Sequence, residues 1–349
     1  MNFRIAKEIK LSLTASLALV VSALPFNSAA QSSIDEDQIT FVKLTAEQYR
    51  NSIRDIFGES IQISGDAASS GVRVAGLMSV GGRRLTLSTS EVESYEVLAL
   101  DIASQVLSPS RRKTLIPCRP QDENAIDNAC ASEFISTVGL HLFRRPLSED
   151  EIENYNAMAR AATDSLGGFY VGLQAALVGM MVSPDFLFRI ERSVSNPEAP
   201  GTRRLDAWSR ASRLSFFLWD TTPNPALLEA AQSGDLLFED GLNQQVENMM
   251  ASPRIEDGLR AFFADMLAFD RFDTLDIDTT LYPKFTKNVE DDAREQTLRT
   301  ISDHLLNQEA DYRDLFDSRK TFLTPALAAL YGVPTVSYTH LTLPTNREV

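Results

Sequence analysis

Apolar positions recur at helical spacing along the chain: Tyr49, Ile53, Ile56 and Phe57 before Gly58; Leu242, Val246, Met249 and Met250; Leu259, Phe262, Phe263, Met266 and Leu267. Each set falls on one stripe of a helix with a period of about 3.6 residues, which predicts amphipathic helices facing a core. The run from Phe169 to Val182 is apolar on nearly every side and carries Gly172 and Gly179. It predicts a central buried helix with close neighbours, being shorter than the roughly 20 residues of a membrane span.

Polar punctuation agrees. Thr45 to Gln48 and Ser148 to Glu151 read as capping boxes, each with an apolar staple, Leu44 with Tyr49 and Leu147 with Ile152. A cap residue followed by Pro recurs in Ser183-Pro184, Asn224-Pro225, Ser252-Pro253 and Thr324-Pro325. Strand signals are weak and confined to the Gly- and Ser-rich stretch 58–87, which predicts a short hairpin or an ordered loop. The expected fold is mainly α, with small helical bundle units in tandem at 40–112, 113–192 and 205–335. The polar segment Ser193 to Arg204 reads as a linker between the last two.

The ends change what is read as protein. Arg4, Lys7 and Lys10 precede an apolar run from Leu11 to Leu24 and then Ser28-Ala29-Ala30, which predicts a signal peptide over 1–30 and a periplasmic or extracellular protein. No transmembrane anchor is expected after cleavage. Residues 336–349 look like one translated frame of a sequencing adapter, so the chain is expected to be a C-terminally truncated fragment.

Composition sharpens the picture. Setting both ends aside removes four bases and two acids from the 33 Lys and Arg and 48 Asp and Glu, leaving 29 against 46, a net charge of −17. Such a surface repels phosphate backbones, so nucleic-acid binding is not expected. At 44% apolar residues the chain can bury real cores. The two cysteines, Cys118 and Cys130, flank a loop rich in Asp and Asn. In an oxidising compartment that pattern predicts a disulfide, which stabilises by about 3 kcal/mol. No Cys-x-x-Cys-His is present, and only His141 and His304 lie outside the tail, so neither haem nor a His-rich metal site is expected.

Several motifs carry a resemblance. They are Leu44-Thr45-Ala46-Glu47-Gln48-Tyr49-Arg50-Asn51-Ser52-Ile53-Arg54-Asp55-Ile56-Phe57-Gly58, Phe143-Arg144-Arg145-Pro146-Leu147, Ser183-Pro184-Asp185-Phe186-Leu187-Phe188-Arg189-Ile190-Glu191 and Arg213-Leu214-Ser215-Phe216-Phe217-Leu218-Trp219. In this order they resemble the planctomycete-type, cytochrome c-associated family of exported proteins built from consecutive domains of unknown function. The resemblance implies an extracytoplasmic role near electron-transfer or polymer-processing systems, in proteins that often carry a separate c-type haem domain. It supplies no catalytic residue.

Candidate chemistry is sparse. Asp185 and Arg189 stand four apart on an expected helix, and with Arg144, Arg145 and Glu191 they form either an ion-pair network or a carboxylate site in a cleft. The structural pairing is the preferred reading, because Asp185 and Glu191 on one helix would diverge by about 120°. Asp270, Asp273, Asp276 and Asp278 form an acidic run that could hold calcium, which takes about six to eight oxygens, although the Gly and terminal Glu of an EF-hand loop are missing. A solvated, Asp-capped turn is the preferred account. Trp208, Phe216, Phe217 and Trp219 could stack on sugars, but their near-helical spacing reads as core.

No nucleophile elbow, Walker loop or dinucleotide fingerprint occurs. The leading expectation is therefore an exported helical scaffold or binding protein without a cofactor in this fragment, partnering a c-type cytochrome or an extracellular polysaccharide system. The alternative is a carboxylate-dependent hydrolase on an extracellular polymer, with acids from different units meeting about 5 to 10 Å apart. A third reading, direct electron transfer, predicts a haem domain.

Overall fold

The computed structural model describes residues 38–65, 71–275, 277–278, 280–285 and 287–333. The expected signal peptide and adapter-like tail lie outside these residues. Among the described residues the protein is mainly α, and no helix is long and apolar enough to cross a membrane.

The chain opens with β1 (Gln38–Lys43), then α1 (Ala46–Phe57), whose N-terminus is closed by the Thr45–Gln48 capping box. Helix α2 (Thr89–Val106) starts on a box that the apolar pattern did not flag, Ser88 with Glu91. Next come α3 (Asn128–Phe143), capped by Asp127, α4 (Glu149–Leu166), capped by the Ser148–Glu151 box, and α5 (Phe169–Met181).

Helix α5 is the hub. Phe169, Gly172, Leu173, Ala176, Leu177, Met180 and Met181 are buried, and α2, α3 and α4 pack around it. Gly172 is needed there, since a Cβ at that position would lie 2.1 Å from Thr163 Oγ1 and 2.5 Å from the Ala159 carbonyl of α4. One hydrophobic core runs from Tyr49 to Phe188, so residues of the stretches 40–112 and 113–192 pack into a single body rather than two.

A one-turn helix, Pro184–Leu187, leads straight into β2 (Phe188–Ser195), which turns back as β3 (Arg203–Leu205). The sheet order is β1-β2-β3, antiparallel throughout, with Phe41 opposite Ile190 and Ser193 opposite Leu205. The segment read as a linker is therefore a hairpin, and the strands lie outside 58–87. Period-two alternation failed as a signal because β2 carries charged residues on both faces: Arg189 and Glu191 on one, Arg192 on the other. The Gly- and Ser-rich stretch is an ordered loop. Within it Val74 pairs with Leu77 around Ala75 and Gly76, both at positive φ, followed by the one-turn helix Met78–Gly81 and the 3-10 turn Gly82–Arg84.

After the sheet come α6 (Ala207–Leu218), α7 (Pro225–Ser233), α8 (Glu239–Met250), α9 (Ile255–Met266), α10 (Lys287–Ser302) and α11 (Pro325–Tyr331). Ser183, Asn224 and Thr324 cap their Pro-led helices as the sequence predicts. At Ser252-Pro253 the hydroxyl instead accepts from the Arg254 amide in a turn, and α9 begins at Ile255. Helices α6 to α8 share one core, and α9 packs with α10 around Phe263, Phe269, Leu298 and Ile301.

Gly258 sets how closely α9 approaches α6. A Cβ there would fall 2.1 Å from the Leu218 carbonyl oxygen and 3.0 Å from the Trp219 amide nitrogen, both backbone atoms that cannot rotate away. Gly258→Ala is expected to push the helices apart and to destabilise by about 1–3 kcal/mol in chemical denaturation, the usual range for overpacking. An unchanged midpoint would show that the approach is not tight.

Candidate functional site

Between the N-terminal segment and the helices after the sheet lies an open cleft of about 1750 Å³. One wall is the outward face of α1 with the loop 71–85, and the other is α6 and α9 with the Trp219–Thr221 corner. Three polar bridges cross it.

The first is built on Gln48. As the third residue of α1 its Oε1 accepts from the Thr45 amide, which fixes the side-chain amide and aims Nε2 at Asp220 Oδ1, 2.8 Å away. Asn51, one turn on, donates to the Asp220 carbonyl at 3.2 Å and approaches its Oδ2 at 3.4 Å. Asp220 is buried and sits at φ +56°, a left-handed conformation that a non-glycine residue adopts at some cost in strain. Burial pushes its carboxyl up to about 7, against the downward pull of the Gln48 hydrogen bond.

The second bridge joins Asp55 of α1 to the Thr221 hydroxyl at 2.6 Å and to Arg254, whose guanidinium lies over the Trp219 ring. The third ties the loop to α9. Arg73 Nη1 donates to Asp265 Oδ1 at 2.9 Å, its Nη2 reaches Asp270, and Asp265 also accepts from the Met78 and Ser79 amides at 2.8 and 3.0 Å. One carboxylate thus caps the short helix and holds the strap down.

The residues singled out from sequence divide into two groups. Arg144 is buried, and Arg145 and Asp185 sit half-buried beside it. Arg144 ends α3 at φ +59°, is 3% exposed, and donates to the carbonyls of Asp185, Phe186 (3.3 Å) and Phe188 (2.7 Å). Burial, then the nearby Arg189, lowers its pKa to about 9, so it stays cationic at neutral pH. Arg145 grips Glu151 with two nitrogens at 2.9 and 2.8 Å and Asp185 at 2.6 Å. Arg189 and Glu191 turn the other way. The helix expected to carry Asp185 and Arg189 together stops at Leu187, so the two are not paired one turn apart.

Glu191 is 2% exposed and collects three guanidiniums: Arg189 Nε at 3.0 Å, Arg213 through Nε at 3.1 Å and through Nη2, and Arg83 at 3.6 Å. Burial alone would raise its pKa, but Arg213, Arg189 and Arg83 outweigh that and hold it below the usual carboxylate range.

Cys118 and Cys130 form a disulfide, with Cα atoms 5.5 Å apart. Of the acidic run, the side chains of Asp270 and Asp278 are described. Asp270 pairs with Arg73 and Asp278 accepts from Thr280 within its own turn, while Asp276 and the side chain of Asp273 lie outside the described residues. Among the described residues no group of three potential ligands is placed to hold a metal. Of the aromatic residues, Phe216 and Trp219 are buried and Trp208 packs against the core, whereas Phe217 is 74% exposed and lines the cleft.

Ten arginines and Lys43 line the cleft against seven carboxylates. One third of the chain's 33 bases thus gather where only seven of its 48 acids do. Sequence reading missed Asp220, Arg83, Arg73 and Asp265 as site residues. The one available signal was Asp220 directly after the Arg213–Trp219 motif, at a break before Pro223.

Residues 130–191 match the family model described as PSD5, protein of unknown function (DUF1595), and residues 205–333 match that described as PSD4, protein of unknown function (DUF1592). No curated protein and no solved structure matches the chain. The first matched segment runs from α3 into β2 and the second from β3 to the end of α11, so Glu191 of one meets Arg213 of the other. The chain carries two domains of unknown function in tandem, a DUF1595 domain followed by a DUF1592 domain.

Proposed function

We propose that this is an exported, non-catalytic binding protein that works beside polysaccharide-processing or c-type cytochrome partners and holds a segment of extracellular polymer in its cleft. The observation that carries the reading is the cleft itself, about 1750 Å³ in volume, where the exposed rings of Phe217 and Phe262 stand among arginines. Aromatic faces and arginine forks are the groups that stack on sugar rings and hydrogen-bond their substituents. The expected result is saturable binding of an oligosaccharide from a panel of neutral and acidic glycans by titration calorimetry, weakened in Phe217→Ala. No binding of any glycan at millimolar concentration sinks it.

A second reading, hydrolysis of the polymer by carboxylates, draws on Asp220, which lines the cleft and carries a carboxyl pushed up to about 7, a value suited to proton transfer near neutral pH. It expects release of reducing ends that Asp220→Asn abolishes. Binding without such release leaves the first reading standing.

A further inference from the structure

We propose that the guanidiniums of Arg83, Arg189 and Arg213 around Glu191 form a subsite for the carboxylate or sulfate group of an acidic oligosaccharide held in the cleft. The proposal rests on the reading of the cleft as a polymer-binding site and names the chemistry of what it binds.

Charge is the first support. Three cations share one buried carboxylate, so the cluster keeps an excess of two positive charges in a chain whose net charge is −15. Lys43, which also lines the cleft, is paired with the buried Glu91 at 2.5 Å, so that pair is neutral and offers no compensation. An acidic group entering the cleft meets a local field opposite in sign to that of the whole molecule, which steers it to this wall.

Free donors are the second. Arg213 spends Nε and Nη2 on the two Glu191 oxygens and Arg189 spends Nε, while Arg83 lies 3.6 Å away, beyond hydrogen-bond distance. Among the described residues Arg83 has no other acceptor, and its side chain is 52% exposed, as that of Arg213 is 46% exposed. Guanidinium forks with unused N–H groups facing a cleft match the two oxygens of a carboxylate or sulfate.

Preorganisation is the third. Glu191 holds Arg189 and Arg213 from below, and the Phe216 ring lies 5.9 Å from the Arg189 guanidinium carbon. Arg83 is carried by a 3-10 turn seated on β1, where a Cβ at Gly82 would come within 2.8 Å of the Lys43 carbonyl oxygen. Two of the three guanidiniums are therefore held in place before any ligand arrives and the third hangs from a seated turn, which lowers the ordering cost of binding.

The test uses the full chain and Arg83→Gln, a substitution at a half-exposed residue that should leave thermal stability nearly unchanged. The probes are an oligogalacturonate, a sulfated galactan oligosaccharide of equal length, a neutral glucan of equal length, and sodium sulfate against sodium chloride at matched ionic strength. Wild type should bind one or both acidic oligomers in preference to the glucan, and Arg83→Gln should weaken that binding roughly tenfold, the loss of one charge-assisted contact. Which acidic oligomer binds more tightly decides between carboxylate and sulfate. Millimolar sulfate should raise the melting temperature of wild type above the chloride value, and Arg83→Gln should lose that increment. Equal affinity for neutral and acidic oligomers, or a sulfate increment that survives in Arg83→Gln, overturns the subsite. Failure of every oligomer to bind, with an Arg83-dependent sulfate increment retained, overturns the polymer reading alone and supports the anion site.

Discussion

Replacing Arg144 by methionine will destabilise the protein by about 3–5 kcal/mol, the cost of leaving several buried acceptors without their donor. For a domain of this size that lowers the melting temperature by roughly 10 °C. The cause is not the charge. Arg144 is 3% exposed and its guanidinium serves the carbonyls of Asp185, Phe186 and Phe188, where a one-turn helix gives way to β2 and leaves its last carbonyls without helical donors. Methionine fills much of the volume but donates nothing, so those buried acceptors each forfeit a hydrogen bond worth about 1–3 kcal/mol when left unmade. Arg144→Lys should recover only part of the loss, because one ammonium cannot reproduce the fork that reaches three oxygens. Thermal unfolding of the three proteins checks this. A methionine variant as stable as wild type would mean that the carbonyls find other donors.

Asp220→Asn will flatten a pH dependence that wild type shows between about pH 4 and pH 7. The native carboxyl titrates near 7, raised from an ordinary value of 3.8 by burial, so the folded state holds its proton more tightly than the unfolded chain does. A raised value contributes stability that is fully present below the unfolded pKa and is lost as pH climbs through the folded one. Stability should therefore fall across that window by up to about 4 kcal/mol, from the shift of about three units at about 1.4 kcal/mol each. Glu91 and Glu151 act in the opposite sense. Burial raises Glu91, but Lys43 and Ser88 prevail and hold it at about 2, and Glu151 is drawn to about 2 chiefly by Arg145, so their contributions are lost only on acidification below about pH 4. The difference between variant and wild type isolates Asp220. Denaturation at pH 4.5 and pH 8 should give unequal differences, with asparagine relatively better at the higher pH. Parallel profiles would mean that Asp220 stays ionised throughout.

The sequence by itself determined the local grammar. Capping boxes at Thr45 and Ser148, Pro-led helix starts at Ser183, Asn224 and Thr324, the largely apolar helix over Phe169–Met181 and the Cys118–Cys130 disulfide depend on residues close in sequence, where backbone geometry limits who meets whom. It grouped Arg144, Arg145, Asp185, Arg189 and Glu191 as one network or cleft; Arg144 and Arg145 do meet Asp185, while Arg189 and Glu191 pair elsewhere. It misread the chain where a tertiary partner overrode local pattern. Phe188–Ser195 is a strand because β1, some 150 residues earlier, pairs along its length while β3 joins only its end, and the pairing with β1 turns Arg189 and Glu191 away from Asp185. The cleft was beyond reach for the same reason. Gln48 and Asp220 are 172 positions apart, Arg73 and Asp265 are 192 apart, and neither pair carries a spacing that a helix or strand would register. Net charge is a sum over the chain and predicted a surface hostile to anions. Only the fold decided that eleven bases would face one cleft, because the location of charge, unlike its total, is set by packing.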